Sequence, residues 1–150
     1  MRILMLIGLI LVMPVRAETM TPETFSPQSM TDARIIYLDF WASWCVPCRR
    51  SFPWLNAMQA RYGDKGLRII GINVDRERED ANKFLSRYPA EFDLVMDPQG
   101  VLAEKYQLRG MPSAVVITPD GRELHRHIGF RADREDEYEE IIVQLLEQEE

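Results

Sequence analysis

The chain has 150 residues, enough for a single domain with a substantial hydrophobic core. Hydrophobic residues make up 46% and charged residues 28% of the sequence, which is typical of a soluble globular protein. The formal net charge of −6 and the absence of a basic stripe argue against a nucleic-acid partner and favour partners that are not acidic.

The first 17 residues have the layout of a secretory signal peptide. Arg2 gives a positive start, residues 3–13 are apolar or glycine, and residues 14–17 place small side chains before Glu18. The apolar run is shorter than the ~20 residues needed to span a bilayer, and no cysteine near the cleavage position could carry a lipid anchor. The sequence therefore predicts a signal peptide at 1–17 and a soluble, periplasmic or otherwise extracytoplasmic mature chain. An uncleaved signal that anchors the chain and a buried N-terminal helix are the alternatives.

After a polar, extended lead-in at residues 18–33, the sequence alternates between strand and helix patterns. Buried β-branched and aromatic runs predict strands, and apolar residues at helical spacing predict helices. The predicted elements are a strand at 34–40, a helix at 45–62, a strand at 67–74, a helix at 81–88, a strand at 92–96, a helix at 101–108, strands at 113–118 and 122–129, and a helix at 133–148. This order predicts one α/β domain at 34–150, with a mixed, mostly parallel central sheet between two layers of helices.

Two cysteines, Cys45 and Cys48, stand where the first strand gives way to the first helix. A disulfide between them closes too short a ring to stabilise a fold, so the pair is either redox-active or part of a metal site. A thiol at a helix N-terminus has a lowered pKa, because unpaired backbone N–H groups and the helix dipole stabilise the thiolate. We therefore expect Cys45 to attack a partner disulfide and Cys48 to resolve the mixed disulfide.

A metal site is the alternative use of the cysteine pair. Zinc needs two further ligands, and the two histidines, His125 and His127, lie on a distant predicted strand whose alternation puts both on a solvated face. Cu(I) held by the two thiolates stays open, so a Cu(I)-handling module is an alternative function. We expect no zinc site, no resident metal and no cofactor beyond the redox-active disulfide.

The residues around the cysteines resemble the active-site signature of the thioredoxin superfamily. The signature is Asp-Phe-Trp-Ala-Ser-Trp-Cys-Val-Pro-Cys-Arg at 39–49, and Arg-Gly-Met-Pro-Ser at 109–113 resembles the family's Gly-x-Pro-Thr loop. The resemblance covers roughly residues 34–147 and implies a thioredoxin-like three-layer fold. It also implies that Met111–Pro112 is a cis peptide bond that faces the cysteines, with the Met111 backbone free to pair with an extended substrate. The residues expected to bind protein thiol or disulfide substrates are Trp44, Val46, Pro47, Met111 and Pro112.

The segment between the two signatures is longer than in thioredoxin and carries the predicted helix at 81–88 and strand at 92–96. With Trp-Cys-Val-Pro-Cys-Arg-Arg and a later Pro-Asp-Gly-Arg hairpin, this insertion is similar to the exported TlpA/ResA/DsbE-type oxidoreductases. That resemblance implies a monomeric reductant of protein disulfides, of the kind that serves cytochrome c maturation or oxidase copper-site assembly and is recharged by a membrane thiol transporter. A dithiol oxidant or isomerase is the alternative. The stretch from Ala17 to Trp44 leaves little room for the N-terminal β-hairpin usual in that group.

Asp39 is the second candidate for chemistry, because it lies in an otherwise apolar strand and matches the buried aspartate of thioredoxin. Thioredoxin has a lysine at the position of Gly71, so the cation is missing here. Burial alone would raise the pKa of Asp39 and suit it to take the proton from Cys48. A carboxylate that reaches solvent or a backbone N–H is the alternative. Asp75 follows the second strand, where reductants of this group carry an acid, although a solvated helix start is equally consistent with the charges that follow it.

Overall fold

The computed structural model describes residues 19–149, so the predicted signal peptide lies outside the described residues. The strands are β1 (Thr19–Met20), β2 (Ile35–Trp41), β3 (Leu67–Asn73), β4 (Asp93–Met96), β5 (Ser113–Ile117) and β6 (Glu123–Ile128). The helices are α1 (Cys48–Tyr62), α2 (Arg78–Leu85), α3 (Val101–Lys105) and α4 (Glu135–Gln148). No helix within the described range is long and apolar enough to cross a membrane.

The six strands form one sheet in the order β1-β4-β3-β2-β5-β6. Strands β1, β4, β3 and β2 are parallel neighbours, whereas β5 pairs antiparallel with β2 and β6 pairs antiparallel with β5. The predicted α/β architecture with a mixed, mostly parallel sheet is confirmed.

The sheet is covered on both faces, and strand β2 is buried along its whole length. A strand buried on both faces reads as a continuous hydrophobic run, which is why the sequence pattern identified it. Tyr37 and Trp41 point into a cluster with side chains of α1, α2 and α4. Leu38 and Phe40 point into a second cluster, which contains Leu102 of α3 and side chains of the lead-in. The sheet is therefore the middle of three layers.

The lead-in takes part in the fold more than its composition indicates. Thr19 and Met20 form β1, which pairs with Leu94 and Val95 of β4 at the edge of the sheet, and Phe25 is buried in the second cluster. A two-residue edge strand is held by backbone hydrogen bonds, so it leaves no hydrophobic pattern in the sequence. Between residue 19 and β2 the chain forms β1 and one short helical turn at Pro27–Ser29, without a β-hairpin.

The residues that can carry chemistry lie together at one edge of the sheet, the edge formed by the carboxyl ends of β2 and β3. The cysteine motif follows the carboxyl end of β2, and Asp75 follows the carboxyl end of β3. Because β5 runs antiparallel to β2, its amino end, where Pro112 lies, falls at the same edge. Phe40 of β2 is paired with Ser113 of β5, so Pro112 lies beside the last residue of β2.

Candidate active site

Cys45 and Cys48 form a disulfide with an S–S distance of 2.05 Å and a Cα–Cα distance of 5.4 Å. Cys48 is the first residue of α1, whereas the sequence analysis placed Cys45 at the helix start. Cys45 instead lies in the preceding turn, where its N–H donates to the Ala42 carbonyl at 3.1 Å. The N–H of Cys48 donates to Sγ of Cys45 at 3.3 Å. The sulfur of Cys45 therefore receives an N–H at the N-terminal end of α1, as the chemistry of a nucleophilic thiolate requires.

The two sulfurs are shielded, while their neighbours are exposed. Cys45 is 3% and Cys48 0% exposed, whereas Trp44 is 64% and Val46 55% exposed. Pro47 is half-buried. Large apolar side chains next to a shielded disulfide form a surface on which a partner can dock before exchange begins.

The loop before β5 lies at the same sheet edge as the disulfide. Its Met111–Pro112 bond is cis, as predicted. The N–H and carbonyl of Met111 make no hydrogen bond within residues 19–149, whereas the Pro112 carbonyl accepts the N–H of Gly129 at 2.8 Å. The backbone of Met111 is thus available to an extended segment laid beside the disulfide. We call residues 109–112 the cis-proline loop.

Ile128 belongs to this surface although the sequence analysis did not single it out. It is 56% exposed at the end of β6, and it pairs with Ser113 directly after Pro112. A Cβ on Gly110 would lie 2.9 Å from Cγ2 of Ile128, so the side chain rests on the cis-proline loop. The available signal was an apolar residue on the outer face of an edge strand.

Asp39 is buried, with 3% of its surface exposed, and its Oδ2 has no hydrogen-bond partner within the described residues. Strand alternation puts its side chain on the same face as Tyr37 and Trp41, in the layer that contains Cys48. Burial raises the pKa of Asp39 to about 8. The paired residue on β3 is Gly71, where a Cβ would lie 2.9 Å from Phe92 and Leu94 side chains. Apolar groups therefore fill the space beside Asp39, which favours a buried carboxyl group over one that reaches solvent.

Asp75 is also buried, but its carboxylate faces the active-site loop. Its Oδ2 accepts the N–H of Ser43 at 2.8 Å and the Nδ2 of Asn73 at 2.8 Å, and its Oδ1 accepts the hydroxyl of Ser43 at 2.9 Å. Both oxygens thus accept hydrogen bonds from Ser43, two residues before Cys45, and Oδ2 also accepts one from Asn73 at the end of β3. This arrangement holds the backbone that leads to Trp44 and Cys45, so Asp75 is not part of a solvated helix start.

His127 departs from the predicted solvated face. Its Nε2 lies 2.9 Å from the Tyr37 hydroxyl, its Nδ1 lies 3.1 Å from the Gly129 carbonyl, and its ring stacks on Tyr138 at 4.7 Å. Because a carbonyl only accepts, Nδ1 carries the proton and Nε2 accepts from Tyr37. Burial raises the pKa of Tyr37 and lowers the pKa of His127, so both groups keep this neutral arrangement. Within residues 19–149 no group of three or more His, Cys, Asp or Glu side chains could hold a metal ion.

A model of the Redoxin family matches residues 13–142 of the chain. The thiol-disulfide oxidoreductase ResA from a strain of Bacillus cereus is 28% identical over 94 residues, which are 63% of this chain and 54% of that protein. ResA of Geobacillus thermodenitrificans is 30% identical over 87 residues, 58% of this chain and 50% of that protein. The chain thus spans about half the length of the curated relatives that it matches.

Solved structures match over a larger share of the fold. A protein assigned as the thiol:disulfide interchange protein DsbE of Chlorobium tepidum is 44% identical with a TM-score of 0.74, covering 79% of this chain and 83% of that one. A secreted Mycobacterium tuberculosis disulfide oxidoreductase homologous to E. coli DsbE is 22% identical with a TM-score of 0.63, covering 77% of this chain and 84% of that one. The second likeness concerns the fold alone. The predicted thioredoxin-like fold and the predicted resemblance to the ResA and DsbE group are confirmed.

Proposed function

The chain belongs to the Redoxin family, and from that membership we propose that it is an extracytoplasmic thiol-disulfide oxidoreductase that reduces protein disulfides through Cys45 and Cys48. One observation carries the proposal. The Cys45–Cys48 disulfide, the exposed side chains of Trp44 and Val46, and the free backbone of Met111 lie together at the same edge of the sheet. A nucleophile, a resolving thiol and a surface for a peptide are what such exchange requires.

The reaction proceeds in two exchanges. The Cys45 thiolate attacks a partner disulfide, so that a bond forms between the Cys45 sulfur and one partner sulfur while the partner disulfide breaks and its second sulfur leaves as a thiolate. The Cys48 thiolate then attacks the Cys45 sulfur, closes the intramolecular disulfide and releases the first partner sulfur. Two electrons pass from the protein dithiol to the partner, and the partner thiolates take up the protons.

We assign the proton of Cys48 to Asp39. The thiol must lose its proton before it can attack, and Asp39 is a base in the same buried layer with a pKa of about 8. That value lies near the ordinary ~8.5 of a cysteine thiol, so transfer between the two costs little free energy. Asp75 has both oxygens committed to Ser43 and Asn73, which supports a structural role for it instead.

A partner segment binds across the apolar surface of Trp44, Val46, Pro47 and Met111, with the buried Pro112 beneath it and Ile128 at its margin. The half-buried Met111 and exposed Trp44 supply apolar contact, and the Met111 backbone supplies strand-like hydrogen bonds. Protein thiols and disulfides are therefore the proposed substrate class. From the resemblance to the exported TlpA/ResA/DsbE-type oxidoreductases, we assign these substrates to either cytochrome c maturation or oxidase copper-site assembly. A membrane thiol transporter is the proposed electron donor, and the protein acts as a monomer.

The reducing direction is supported by the residues between the cysteines. Val46 and Pro47 supply no charge that would stabilise the Cys45 thiolate and make the disulfide a strong oxidant. Location outside the cytoplasm is supported by the signal-like residues 1–17.

Mixed-disulfide trapping tests the exchange itself. With purified Cys48→Ala protein in its reduced state and a disulfide-containing protein substrate, we expect a covalent adduct through Cys45 that dithiothreitol releases. The Cys45→Ala variant is the control and forms no adduct. Absence of the adduct, together with stoichiometric binding of Cu(I) by the reduced wild-type protein, would establish the Cu(I)-handling module instead.

The reduction potential tests the direction. Equilibration of the Cys45–Cys48 pair with glutathione buffers gives the potential, which we expect to be well below −200 mV, in the range of reducing thioredoxin-like pairs at roughly −270 mV. A potential of about −120 mV, the value of the strong oxidant DsbA, would make the protein a dithiol oxidant.

A further inference from the structure

Helix α1 carries positive charges in its first turn, where the helix dipole favours negative ones. Helices α2, α3 and α4 carry acidic residues in their first turns, which the positive end of the helix dipole favours. The first turn of α1 has no acid and instead carries Arg49 and Arg50, both exposed, directly after Cys48. The dipole disfavours these two cations, so helix electrostatics do not account for their position.

Two grooves lie on either side of the active-site edge, and cations dominate both. The first, of about 330 Å³, runs between the active-site loop and α2 and is lined by Ser43, Arg49, Lys83 and Arg87 against the single acid Asp80. The second, of about 470 Å³, lies beside the cis-proline loop and Ile128 and is lined by Lys105, Arg109 and Arg126 against the single acid Glu123. Each groove thus carries three cations and one carboxylate, in a chain whose formal net charge is −6.

The carboxylate in each groove is already paired. Nζ of Lys83 lies 3.3 Å from Glu79 and 3.7 Å from Asp80, and Glu123 accepts two hydrogen bonds from Arg126, at 2.9 and 2.8 Å, so Lys83 and Arg126 are the neutralised cations of the two grooves. The guanidinium groups of Arg49, Arg87 and Arg109 make no ion pair or hydrogen bond with the rest of the described chain. Each groove therefore presents at least one exposed guanidinium without a counter-ion.

Acids on the neighbouring loop do not cancel this charge. In the segment after β6, Asp133 pairs with Arg131 at 2.7 Å and Glu137 pairs with Arg134 at 2.5 Å. Asp75 is buried and saturated by Ser43 and Asn73. Within residues 19–149, the charge left without an acidic partner in the two grooves is thus that of Arg49, Arg87, Lys105 and Arg109, and it has the opposite sign to the net charge of the chain.

We propose that the two grooves bind acidic side chains on both sides of the reactive cysteine of an extended partner segment, an inference that rests on the proposed function. The segment lies over Cys45 and pairs with the Met111 backbone, so its two ends lead toward the two grooves. A guanidinium presents a planar set of donors that matches a carboxylate, and Arg49 and Arg109 supply one such group in each groove. Acidic segments are attracted to this edge, and basic segments are repelled from it.

Matched peptides test the inference. The probes are disulfide-linked peptide dimers that are identical except that the residues flanking the cysteine are all Glu, all Gln or all Lys. The wild-type protein, reduced and freed of reductant, is mixed with each dimer at low ionic strength, and the single-turnover rate of peptide thiol release is measured. We expect the Glu dimer to react about tenfold faster than the Gln dimer and the Lys dimer to react slowest, with the ratios falling toward one as salt is raised.

Variants assign the effect to the grooves. Arg49→Gln and Arg109→Gln each lower the Glu-to-Gln rate ratio, and the double variant brings it near one. Lys65→Gln makes the same change in net charge beyond the far end of α1 and leaves the ratio at its wild-type value. Because each variant is compared with itself on two peptides, loss of folded protein cancels from the ratio.

The outcomes separate the inference from the proposed function. A wild-type ratio near one, with the Gln dimer still reduced, overturns the inference and leaves the function standing. A high ratio that persists in the double variant also overturns the assignment to the grooves. Failure to reduce any dimer overturns the proposed function and the inference together.

Discussion

At the scale of single residues, the carboxyl group of Asp39 is unusual because nothing charged balances it. Its pKa of about 8 comes from burial alone, so about a tenth of the molecules carry the carboxylate at pH 7, and in that form Asp39 can accept the proton of Cys48. We predict that Asp39→Asn slows the attack of Cys48 on the mixed disulfide at least about tenfold at pH 7, because the thiol loses its base. Single-turnover release of a bound peptide measures this step.

The pH profile separates a proton-transfer role of Asp39 from a structural one. The deficit of Asp39→Asn should shrink above pH 8, because hydroxide then deprotonates Cys48 without help. Asp64→Asn, an exposed change in the turn after α1, serves as the control and keeps the wild-type profile. A deficit of equal size at every pH would show that Asp39 shapes the site without moving a proton.

Asp75 has a different role, in which the geometry of hydrogen bonds matters more than charge. Asp75→Ala leaves the N–H of Ser43 and the amide of Asn73 without their acceptor, so we predict a loss of roughly 2–4 kcal/mol in the free energy of unfolding. Asp75→Asn can place its amide oxygen where Oδ2 lies and point its amide nitrogen at the Ser43 hydroxyl, which can accept. Urea denaturation should therefore find Asp75→Asn much closer to wild type than Asp75→Ala.

Exchange kinetics of the same two variants provide the second reading. If the carboxylate of Asp75 exchanged protons with the cysteines, the Asn variant would be as slow as the Ala variant. Equal rates for Asp75→Asn and wild type agree with a role in holding the loop before Cys45.

At the scale of elements, the strands and helices followed from local patterns, whereas their contacts did not. Strand β2 was identifiable because it is apolar on both faces, and α1 because Phe52, Leu55 and Met58 recur at helical spacing. Strand β1 was missed because two backbone-paired residues carry no periodicity. The site was recognised through Cys45–Cys48 and the cis-proline loop, but the groups that support it come from residues far apart in sequence, which spacing does not reveal.

Strand β6 gives an example of such support, because His127 links it to both β2 and the cis-proline loop. The Tyr37 hydroxyl donates to His127, His127 donates to the Gly129 carbonyl, and the N–H of Gly129 donates to the Pro112 carbonyl. We predict that His127→Phe, which keeps the stacking on Tyr138, costs about 1–3 kcal/mol in stability, because the Tyr37 hydroxyl is left buried and unpaired. We also expect slower reduction of peptide disulfides, with a smaller effect on a small-molecule disulfide that does not need Met111.

Two comparisons isolate this chain of hydrogen bonds. His125→Phe changes the neighbouring histidine, whose ring lies 6.0 Å from that of His127, and should leave both stability and peptide reduction near wild type. The double variant Tyr37→Phe with His127→Phe removes both polar partners and should recover part of the lost stability but not the peptide rate. Full recovery of the rate would show that His127 does not position the cis-proline loop.

At the scale of the whole molecule, the net charge of the chain and the charge of the two grooves have opposite signs, so they lead to opposite expectations for the charge of a partner. The net charge of −6 is a sum over the whole chain. Many of the acids that contribute to it lie on α4, whereas each of the two grooves beside the disulfide has more cations than acids. The charge of a partner therefore has to be inferred from the residues beside the disulfide and not from the net charge of the chain. The dependence of stability on pH is likewise set by particular residues, and we expect the buried Asp39 and His127 to contribute most to it.

The free energy of unfolding should fall as the pH rises from about 6.5 to 8. Asp39 holds its proton in the folded state up to a pKa of about 8, whereas the unfolded chain releases it near 3.8, so between these values the folded state binds the extra proton and loses stability as the pH rises. The slope from one such group is ~1.4 kcal/mol per pH unit. His127 acts in the opposite direction, since its lowered pKa makes the folded state lose stability as the pH falls below about 6.5, the ordinary value for histidine. Urea unfolding of the disulfide form at pH 5, 6.5 and 8 should show Asp39→Asn gaining on wild type by about 2 kcal/mol between the last two values. A wild-type stability that is flat between pH 6.5 and 8, or that falls equally in Asp39→Asn, would mean that Asp39 reaches water or a cation in solution and titrates near its ordinary pKa.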